Sequence, residues 1–168
     1  VGVCAALCLW RGSLVLPLRN GAGQLQSLQF IKADGTKLFL KGSSSAGCYF
    51  TVADNPDGAL VICEGYATGA SIHAATGRGV ICAMNCGNLK GVAESARAQW
   101  PDREIILAAD NDQWTPDNPG LTQAREAARR IGARLADPQF ANAKDRPTDF
   151  NDLQQLAGLD EVRRQMES

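Results

Sequence analysis

Residues 105–112 read Ile-Ile-Leu-Ala-Ala-Asp-Asn-Asp, a short apolar run that ends in two aspartates. Similar apolar runs occur at 59–63, 80–84 and 133–136. Short and nearly unbroken apolar runs are typical of strands that are buried on both faces of a parallel sheet. The chain between these runs is amphipathic and helical in its spacing, so the pattern predicts an α/β fold with a mostly parallel sheet flanked by helices. The predicted helices cover 67–76, 89–100 and 121–131, and a C-terminal helical segment covers 151–166.

The first third of the chain has a different pattern, in which short strands are separated by turns. Asn20-Gly21 and Asp34-Gly35 each follow an apolar or alternating run, and such pairs favour hairpin turns because both residue types tolerate positive φ. A turn-rich stretch at 53–58 then marks a boundary. The sequence therefore predicts an antiparallel, β-rich subdomain over 1–58 and an α/β domain over 59–168. The strands predicted for the first unit cover 14–18, 25–31, 37–41 and 48–52.

Composition and charge are those of an ordinary globular protein. The 168 residues are 45% hydrophobic and 21% charged, with a net charge of −1, so bulk charge indicates no nucleic-acid partner. The charge is unevenly placed, because residues 1–59 hold five basic and three acidic side chains and residues 60–168 hold twelve and fifteen. The chain begins Val-Gly-Val, which favours a fragment of a longer protein.

Cysteine and histidine usage argues against zinc sites and disulfides. The six cysteines include no C-x-x-C pair, and His73 is the single histidine, so a zinc finger or ribbon lacks ligands. The two C-x-x-x-C pairs, Cys4/Cys8 and Cys82/Cys86, are interpreted as packing residues. This usage predicts a reducing, cytoplasmic setting, and no apolar run approaches the roughly 20 residues of a membrane span.

Acidic residues follow the apolar runs at the positions where α/β sheets bind ligands. Glu64 directly follows the run 59–63, which is the first along the chain, and Asp110 and Asp112 follow the third run, 105–109. Because ligands bind beyond the carboxyl ends of parallel strands, these carboxylates are expected at one sheet edge, where they suit Mg²⁺ or Mn²⁺. Each acid alone is also compatible with a solvated strand end or a helix cap. Further acids follow the fourth run, at Asp145, Asp149 and Asp152.

These motifs, in this order, resemble the Toprim domain shared by bacterial-type primases, type IA and type II topoisomerases and some nucleases. Glu64-Gly65-Tyr66-Ala67-Thr68 is similar to the first Toprim motif of plasmid, phage and chromosomal primases, although chromosomal enzymes usually carry an acid where Thr68 stands. Pro147-Thr148-Asp149-Phe150-Asn151-Asp152 resembles the third acidic motif. The segment from Leu16 to Tyr49 resembles the β-rich part that precedes Toprim in the RNA-polymerase domain of these primases.

The resemblance implies a fragment of the catalytic core of a DNA primase, which joins NTPs into RNA primers on a single-stranded DNA template. It implies a site for two Mg²⁺ or Mn²⁺ ions, and a replicative helicase, fused or separate, as a partner. The catalytic residues and main metal ligands would be Glu64, Asp110 and Asp112, with Asp149 or Asp152 supporting a second ion. The nucleotide- or DNA-binding residues would be Arg19, Lys37, Lys41 and Gly65.

Two other functions remain open on the sequence alone. A Toprim nuclease would use the same acids to cleave phosphodiesters, and a non-catalytic scaffold would bind DNA or a helicase. A topoisomerase fits poorly because Tyr49 and Tyr66 have no motif that supports a nucleophilic tyrosine. The insertion-like segment 113–120 has no assigned role. Its Trp114, like Trp10, Trp100 and Tyr66, is expected to pack in the core or in a loop, and stacking on bases is the alternative.

Overall fold

The described part of the chain, residues 7–142 and 144–168 of a computed structural model, contains two β-sheets and five α-helices. The strands are β1 (Cys8–Trp10), β2 (Ser13–Arg19), β3 (Leu25–Ile31), β4 (Lys37–Phe39), β5 (Phe50–Ala53), β6 (Leu60–Cys63), β7 (Gly79–Cys82), β8 (Ile105–Ala108) and β9 (Arg134–Ala136). The helices are α1 (Tyr66–Thr76), α2 (Leu89–Gln99), α3 (Pro119–Ile131), α4 (Phe150–Ala157) and α5 (Leu159–Glu167). Cys4, and with it the Cys4/Cys8 pair, lies outside the described residues.

Strands β1 to β4 form an antiparallel sheet in sequence order. The turn between β2 and β3 is fixed by Asn20, whose Oδ1 accepts hydrogen bonds from the backbone N–H groups of Ala22 and Gln24 at 3.1 and 3.0 Å. The turn between β3 and β4 places Gly35 at φ 83°, in the left-handed region that glycine adopts without a Cβ penalty. Both hairpins predicted from the turn residues are therefore confirmed.

The second sheet has the strand order β5-β7-β6-β8-β9. Its last four strands are parallel, and β6 lies at the centre, where Val61 pairs with Val80 on one side and with Ile106 on the other. Every residue of β6, β7 and β8 is buried. The mostly parallel sheet predicted from the four apolar runs is confirmed.

Helices cover both faces of this sheet. Val61 packs in one cluster with residues of α1, α4 and α5, and the next residue, Ile62, packs on the opposite face with residues of α2 and α3. Because neighbouring side chains of a strand point to opposite faces, both sides of β6 need apolar residues. This two-sided burial explains why the strand predictions could be made from continuous apolar runs.

The strand predicted over 48–52 belongs to a different sheet from the one expected. It forms β5, which pairs antiparallel with β7 in the second sheet, and its Phe50 is buried against Tyr66 of α1. Placing β5 there buries Phe50 and Val52 in the main core. The assignment of this strand to the N-terminal sheet was therefore wrong, and the division of the chain at residue 58 stays a prediction. The C-terminal helical segment is also divided, because Gly158 at φ 84° separates α4 from α5.

Asn88 connects the loop before β5 to the second sheet. Its Nδ2 donates to the carbonyl oxygens of Ser45, Cys48 and Ala83 at 2.9 to 3.0 Å, and its Oδ1 accepts from the Gly47 N–H at 2.7 Å. A buried amide with this many partners fixes the loop against the start of α2.

Within the described residues, the helices are too short or too polar to cross a membrane.

Candidate active site

Glu64 directly follows the central strand β6, at its carboxyl end. Its backbone carbonyl accepts a hydrogen bond from the Met84 N–H at 2.7 Å, which ties it to the chain after β7. Burial raises the pKa of the Glu64 carboxyl, and the charge of Asp112 raises it further, whereas Lys37 and a backbone hydrogen bond from Cys86 lower it. Glu64 is therefore a half-buried acid with another acid and a lysine close by.

Asp110 is the most strongly perturbed acid at this edge of the sheet. Burial is the largest cause that raises its pKa, which reaches about 8, and three acidic neighbours contribute to the shift. These neighbours are, in decreasing order, Glu64, Asp149 and Asp112. Among the described residues, no donor reaches the buried Asp110 Oδ1. A buried carboxylate oxygen without a hydrogen-bond partner is costly, so this atom needs either a proton or a cation.

Asp112 is held by the first turn of α3. The Gly120 N–H donates to Asp112 Oδ2 at 3.0 Å, and a Cβ on Gly120 would lie only 2.7 Å from the Asp110 carbonyl oxygen. Glycine at this position therefore lets the helix start against both aspartates. Gly120 was not predicted as a site residue. The signal that could have found it is Pro119-Gly120, since proline is favoured at the first helical position.

Asp149 joins this group from the start of α4. Its Oδ1 accepts from the Asp152 N–H at 2.8 Å, which caps the helix, and its Oδ2 accepts from the Thr68 hydroxyl at 2.7 Å. The charge of Asp149 raises the pKa of Glu64 and of Asp110. Thr68 is 1% exposed and replaces the expected auxiliary acid with a hydrogen-bond donor. Its role as the partner of Asp149 was not predicted.

Asp152 has different surroundings from Asp149. Its Oδ2 accepts from the backbone N–H of Thr148 at 2.8 Å, within the turn that begins α4. This contact gives the Asp152 carboxylate a hydrogen-bond donor from the residue just before the helix cap. The structure thus places Asp149 among the other acids and gives Asp152 a partner in its own turn.

Asn111 and the segment 113–120 connect the acids after β8 to the third acidic motif, residues 147–152. The Asn111 N–H donates to the Thr148 carbonyl at 2.6 Å, and Trp114 Nε1 donates to the Pro147 carbonyl at 3.3 Å. Asn118 Nδ2 donates to Asn111 Oδ1 at 2.8 Å. The segment 113–120 therefore holds the acids after β8 and the acid at the start of α4 in a fixed relation.

The predicted basic residues lie in different places. Lys37 of β4 lowers the pKa of Glu64 and of Asp110, and its Nζ would lie 3.9 Å from a Cβ on Gly65. Arg19 is exposed, and its Nη1 donates to the Gly23 carbonyl in its own hairpin at 2.9 Å. Lys41 is exposed in the turn after β4. The structure thus brings Lys37 and Gly65 to the acids.

The donor set at this edge fits a divalent cation. Within residues 7–142 and 144–168, no three His, Cys, Asp or Glu side chains stand close enough to form a ready-made metal site. Four carboxylates nevertheless lie near one another there, neighbouring acids raise the pKa of Glu64 and of Asp110, and Asp110 Oδ1 lacks a donor. Such mutual repulsion between half-buried acids is relieved by a hard cation that takes oxygen ligands, of which Mg²⁺ and Mn²⁺ are examples. The four acids are Glu64, Asp110, Asp112 and Asp149.

The buried thiols behind this site are close to one another. Cys63 and Cys82 are opposed on β6 and β7, and their sulfur atoms are 3.5 Å apart. The five described cysteines are free thiols. A Cβ on Gly69 of α1 would lie 2.7 Å from the Cys82 sulfur, so α1 packs tightly on this pair.

Comparisons with known sequences found one family and two named relatives. The Toprim domain family matches residues 59–160. A DNA primase TraC of Escherichia coli is 39% identical over 136 residues, and a second TraC of Escherichia coli is 37% identical over 140 residues. These alignments cover 75% and 77% of this chain but 13% and 10% of the relatives, so the chain corresponds to a small part of their length. The primase resemblance predicted from the motifs is confirmed.

Solved structures of primase fragments share the fold. The primase fragment of the bacteriophage T7 primase-helicase superposes with a TM-score of 0.67 and 18% identity, over 92% of this chain and 62% of that one. The RNA polymerase domain of Mycobacterium tuberculosis primase DnaG gives a TM-score of 0.59 and 15% identity, over 92% and 54%. The shared fold and the extent of the family match together lead to one conclusion: the chain is a member of the Toprim domain family.

Proposed function

We propose that this chain forms part of the catalytic core of a DNA primase, which makes RNA primers on single-stranded DNA by metal-dependent nucleotidyl transfer. The observation that carries the proposal is the meeting of Glu64, Asp110, Asp112 and Asp149 at the carboxyl edge of the sheet, where Asp112 and Asp149 raise the pKa of both Glu64 and Asp110. Similarity to the TraC primases supports the choice of reaction among those a Toprim site can perform.

The acids would hold two divalent cations, Mg²⁺ or Mn²⁺. Bound cations would neutralise charge on the NTP phosphates and ease deprotonation of the primer 3′ hydroxyl that attacks the α-phosphate, with pyrophosphate leaving. Glu64, Asp110 and Asp112 are the main ligands in this proposal, and Asp149 supports the second ion. Asp110 carries a proton at neutral pH in the metal-free chain, because its pKa is about 8, so a cation has to displace that proton.

Basic residues and a glycine would guide the nucleic acid and the NTPs. Lys37 projects toward the acids from the N-terminal sheet, which places a positive charge where NTP phosphates would approach. Gly65 has no side chain between Lys37 and the start of α1, so a phosphate could approach the backbone there. We assign the exposed Arg19 and Lys41 to the template path. A replicative helicase, fused or separate, is the proposed protein partner.

A primer-synthesis assay tests the function. The whole protein that contains this chain is given labelled NTPs, single-stranded DNA and Mn²⁺, and the double substitution D110N/D112N is compared with wild type. We expect primer synthesis to fall by at least about a hundredfold in D110N/D112N. The matched control is D57N/D102N, which removes two exposed acids away from the site and should keep full activity.

Three outcomes would contradict the proposal. Full primer synthesis by D110N/D112N, with a circular dichroism spectrum like that of wild type, would remove the acids from catalysis. Metal-dependent cleavage of the DNA without NTP incorporation would assign the same acids to a nuclease. DNA binding without either reaction, and without uptake of Mn²⁺ in calorimetry, would favour a scaffold.

A further inference from the structure

Trp114 is an exposed aromatic residue beside the candidate active site. It lies two residues after Asp112, in the segment 113–120, and 41% of its surface is exposed. A single exposed apolar residue is ordinary in a folded protein. Trp114 differs because its ring reaches across to the third acidic segment, where it contacts the residues just before Asp149.

The indole ring is held in place before any ligand binds. Trp114 Nε1 donates to the Pro147 carbonyl at 3.3 Å, and the next residue, Thr115, donates its N–H to the Asp112 carbonyl at 2.8 Å. The turn is closed by a hydrogen bond from the Asn118 N–H to the Thr115 carbonyl at 3.1 Å. An aromatic ring that is already fixed loses little conformational entropy when a flat ligand stacks on it.

Arg146 places a cation next to this ring. Its guanidinium carbon is 5.9 Å from the centroid of the Trp114 ring, and the residue is exposed. In the part of the chain that the structure describes, no carboxylate lies within ion-pair distance of Arg146. Its charge is therefore available to an anion that approaches the rim of the acid cluster.

We propose that Trp114 and Arg146 bind one nucleotide unit, with a base stacked on the indole and a phosphate paired with the guanidinium. This inference rests on the proposed function, because primer synthesis is what would bring a nucleotide to this rim. Stacking on an aromatic side chain is tolerant of sequence because every base has a flat face, and arginine adds charge and cation–π attraction. The shared chemistry could come from a single-stranded template or from an NTP, and the test separates the two sources.

Binding is measured without catalysis, so that its result does not depend on primer synthesis. A fluorescein-labelled (dT)16 strand is titrated with the whole protein in EDTA and followed by anisotropy, and ATP is titrated by calorimetry with Ca²⁺. We expect W114A to weaken binding of one ligand by about tenfold, the size of one lost stacking contact. R146A should weaken binding of the same ligand and make its Kd less dependent on salt. R146K should retain most of the affinity and most of the salt dependence.

Two comparisons separate stacking from a structural effect. W114F keeps an aromatic face but loses the Nε1 hydrogen bond to Pro147, so it should bind within about threefold of wild type. The matched control is W10A. Trp10 lies in strand β1 and is 53% exposed, and the guanidinium carbon of Arg11 lies 4.7 Å from the centroid of its ring. W10A removes the same chemistry from another surface and should leave both Kd values unchanged.

The results show whether the bound nucleotide unit belongs to the template strand or to an NTP, and whether the proposal holds. A loss confined to (dT)16 assigns the platform to the template strand, and a loss confined to ATP assigns it to the incoming nucleotide. The proposal is overturned if W114A binds both ligands like wild type, if W114F loses as much affinity as W114A, or if W10A loses as much as W114A. Wild-type protein that binds neither ligand would also overturn it. An inactive enzyme with intact Trp114-dependent binding would instead count against the catalytic proposal alone.

Discussion

Gly120 and Asp112 are in direct contact, and a Cβ added to Gly120 would stand 2.7 Å from the Asp112 Oδ2 that its own N–H binds. Real side chains do not approach this closely, so G120A must displace either the aspartate or the start of α3. We expect G120A to lower the free energy of unfolding by about 2 kcal/mol and to weaken Mn²⁺ binding about tenfold. Chemical denaturation and calorimetry measure the two effects.

The control for this substitution is another helical glycine. Gly91 lies in α2, and a Cβ there would meet its nearest atom at 3.5 Å, an ordinary contact distance. G91A should therefore be neutral or stabilise the chain by up to about 1 kcal/mol. Equal Mn²⁺ affinities in G120A and G91A would show that the close approach of Gly120 has no part in the site.

Thr68 is expected to set the position of Asp149 through its hydroxyl. T68V keeps the shape of the side chain but leaves Asp149 Oδ2 without this donor, so Mn²⁺ affinity should fall about tenfold. T68S restores the hydroxyl and should recover most of the affinity. S71A is the matched control, since Ser71 is also buried on α1 and binds Asn151, which is not an acid. A loss in S71A as large as in T68V would indicate a general effect on the packing of α1 and α4.

The metal-free chain should lose stability as the pH rises, because of Asp110. Its pKa is about 8 in the folded chain and near 3.8 in an unperturbed carboxyl, so the folded state keeps a proton that the unfolded state releases. The contribution is fully present below about pH 4 and is lost as the pH rises through 8, by at most about 1.4 kcal/mol per pH unit. D110N has no such proton, and its denaturation midpoint in EDTA should vary much less between pH 5 and pH 8.

Added Mn²⁺ provides the check on this pH dependence. At pH 8 the cation should stabilise wild type, because it binds the folded state and replaces the proton, and it should stabilise D110N much less. If wild type and D110N lose stability in parallel between pH 5 and pH 8 in EDTA, Asp110 is not the group that titrates.

We expect Asn88 to hold the loop before β5 in place. N88A removes the hydrogen bonds to Ser45, Gly47, Cys48 and Ala83 together, and we expect a loss of about 3 kcal/mol in the free energy of unfolding. N88D should be at least as harmful, because it turns a carboxylate oxygen toward carbonyl oxygens. Limited proteolysis within 42–47 should become faster in both variants. Unchanged cleavage rates there would contradict the anchoring role.

The parallel strands and the acids at their ends could be predicted from the sequence because both signals are local. Four apolar runs gave the strands, and the topology of parallel sheets brings Glu64 and Asp110 to the same edge. The partner of β5 could not be predicted, since alternation identifies a half-buried strand without identifying its neighbour. The contact between Thr68 and Asp149 joins residues 81 positions apart, so no local pattern contains it. Gly120 was missed because glycine at a helix start has several common causes.

The position of β5 also affects how the chain can be shortened for laboratory work. Residue 58 is the boundary suggested by the turn-rich segment, but a chain that starts there lacks β5 and leaves the backbone groups of β7 without their antiparallel partner. Uncovered strands of this kind recruit other molecules and promote aggregation. A shortened chain that begins before Phe50 keeps this pairing, so the first residue chosen for expression decides whether β7 is covered or exposed to other molecules.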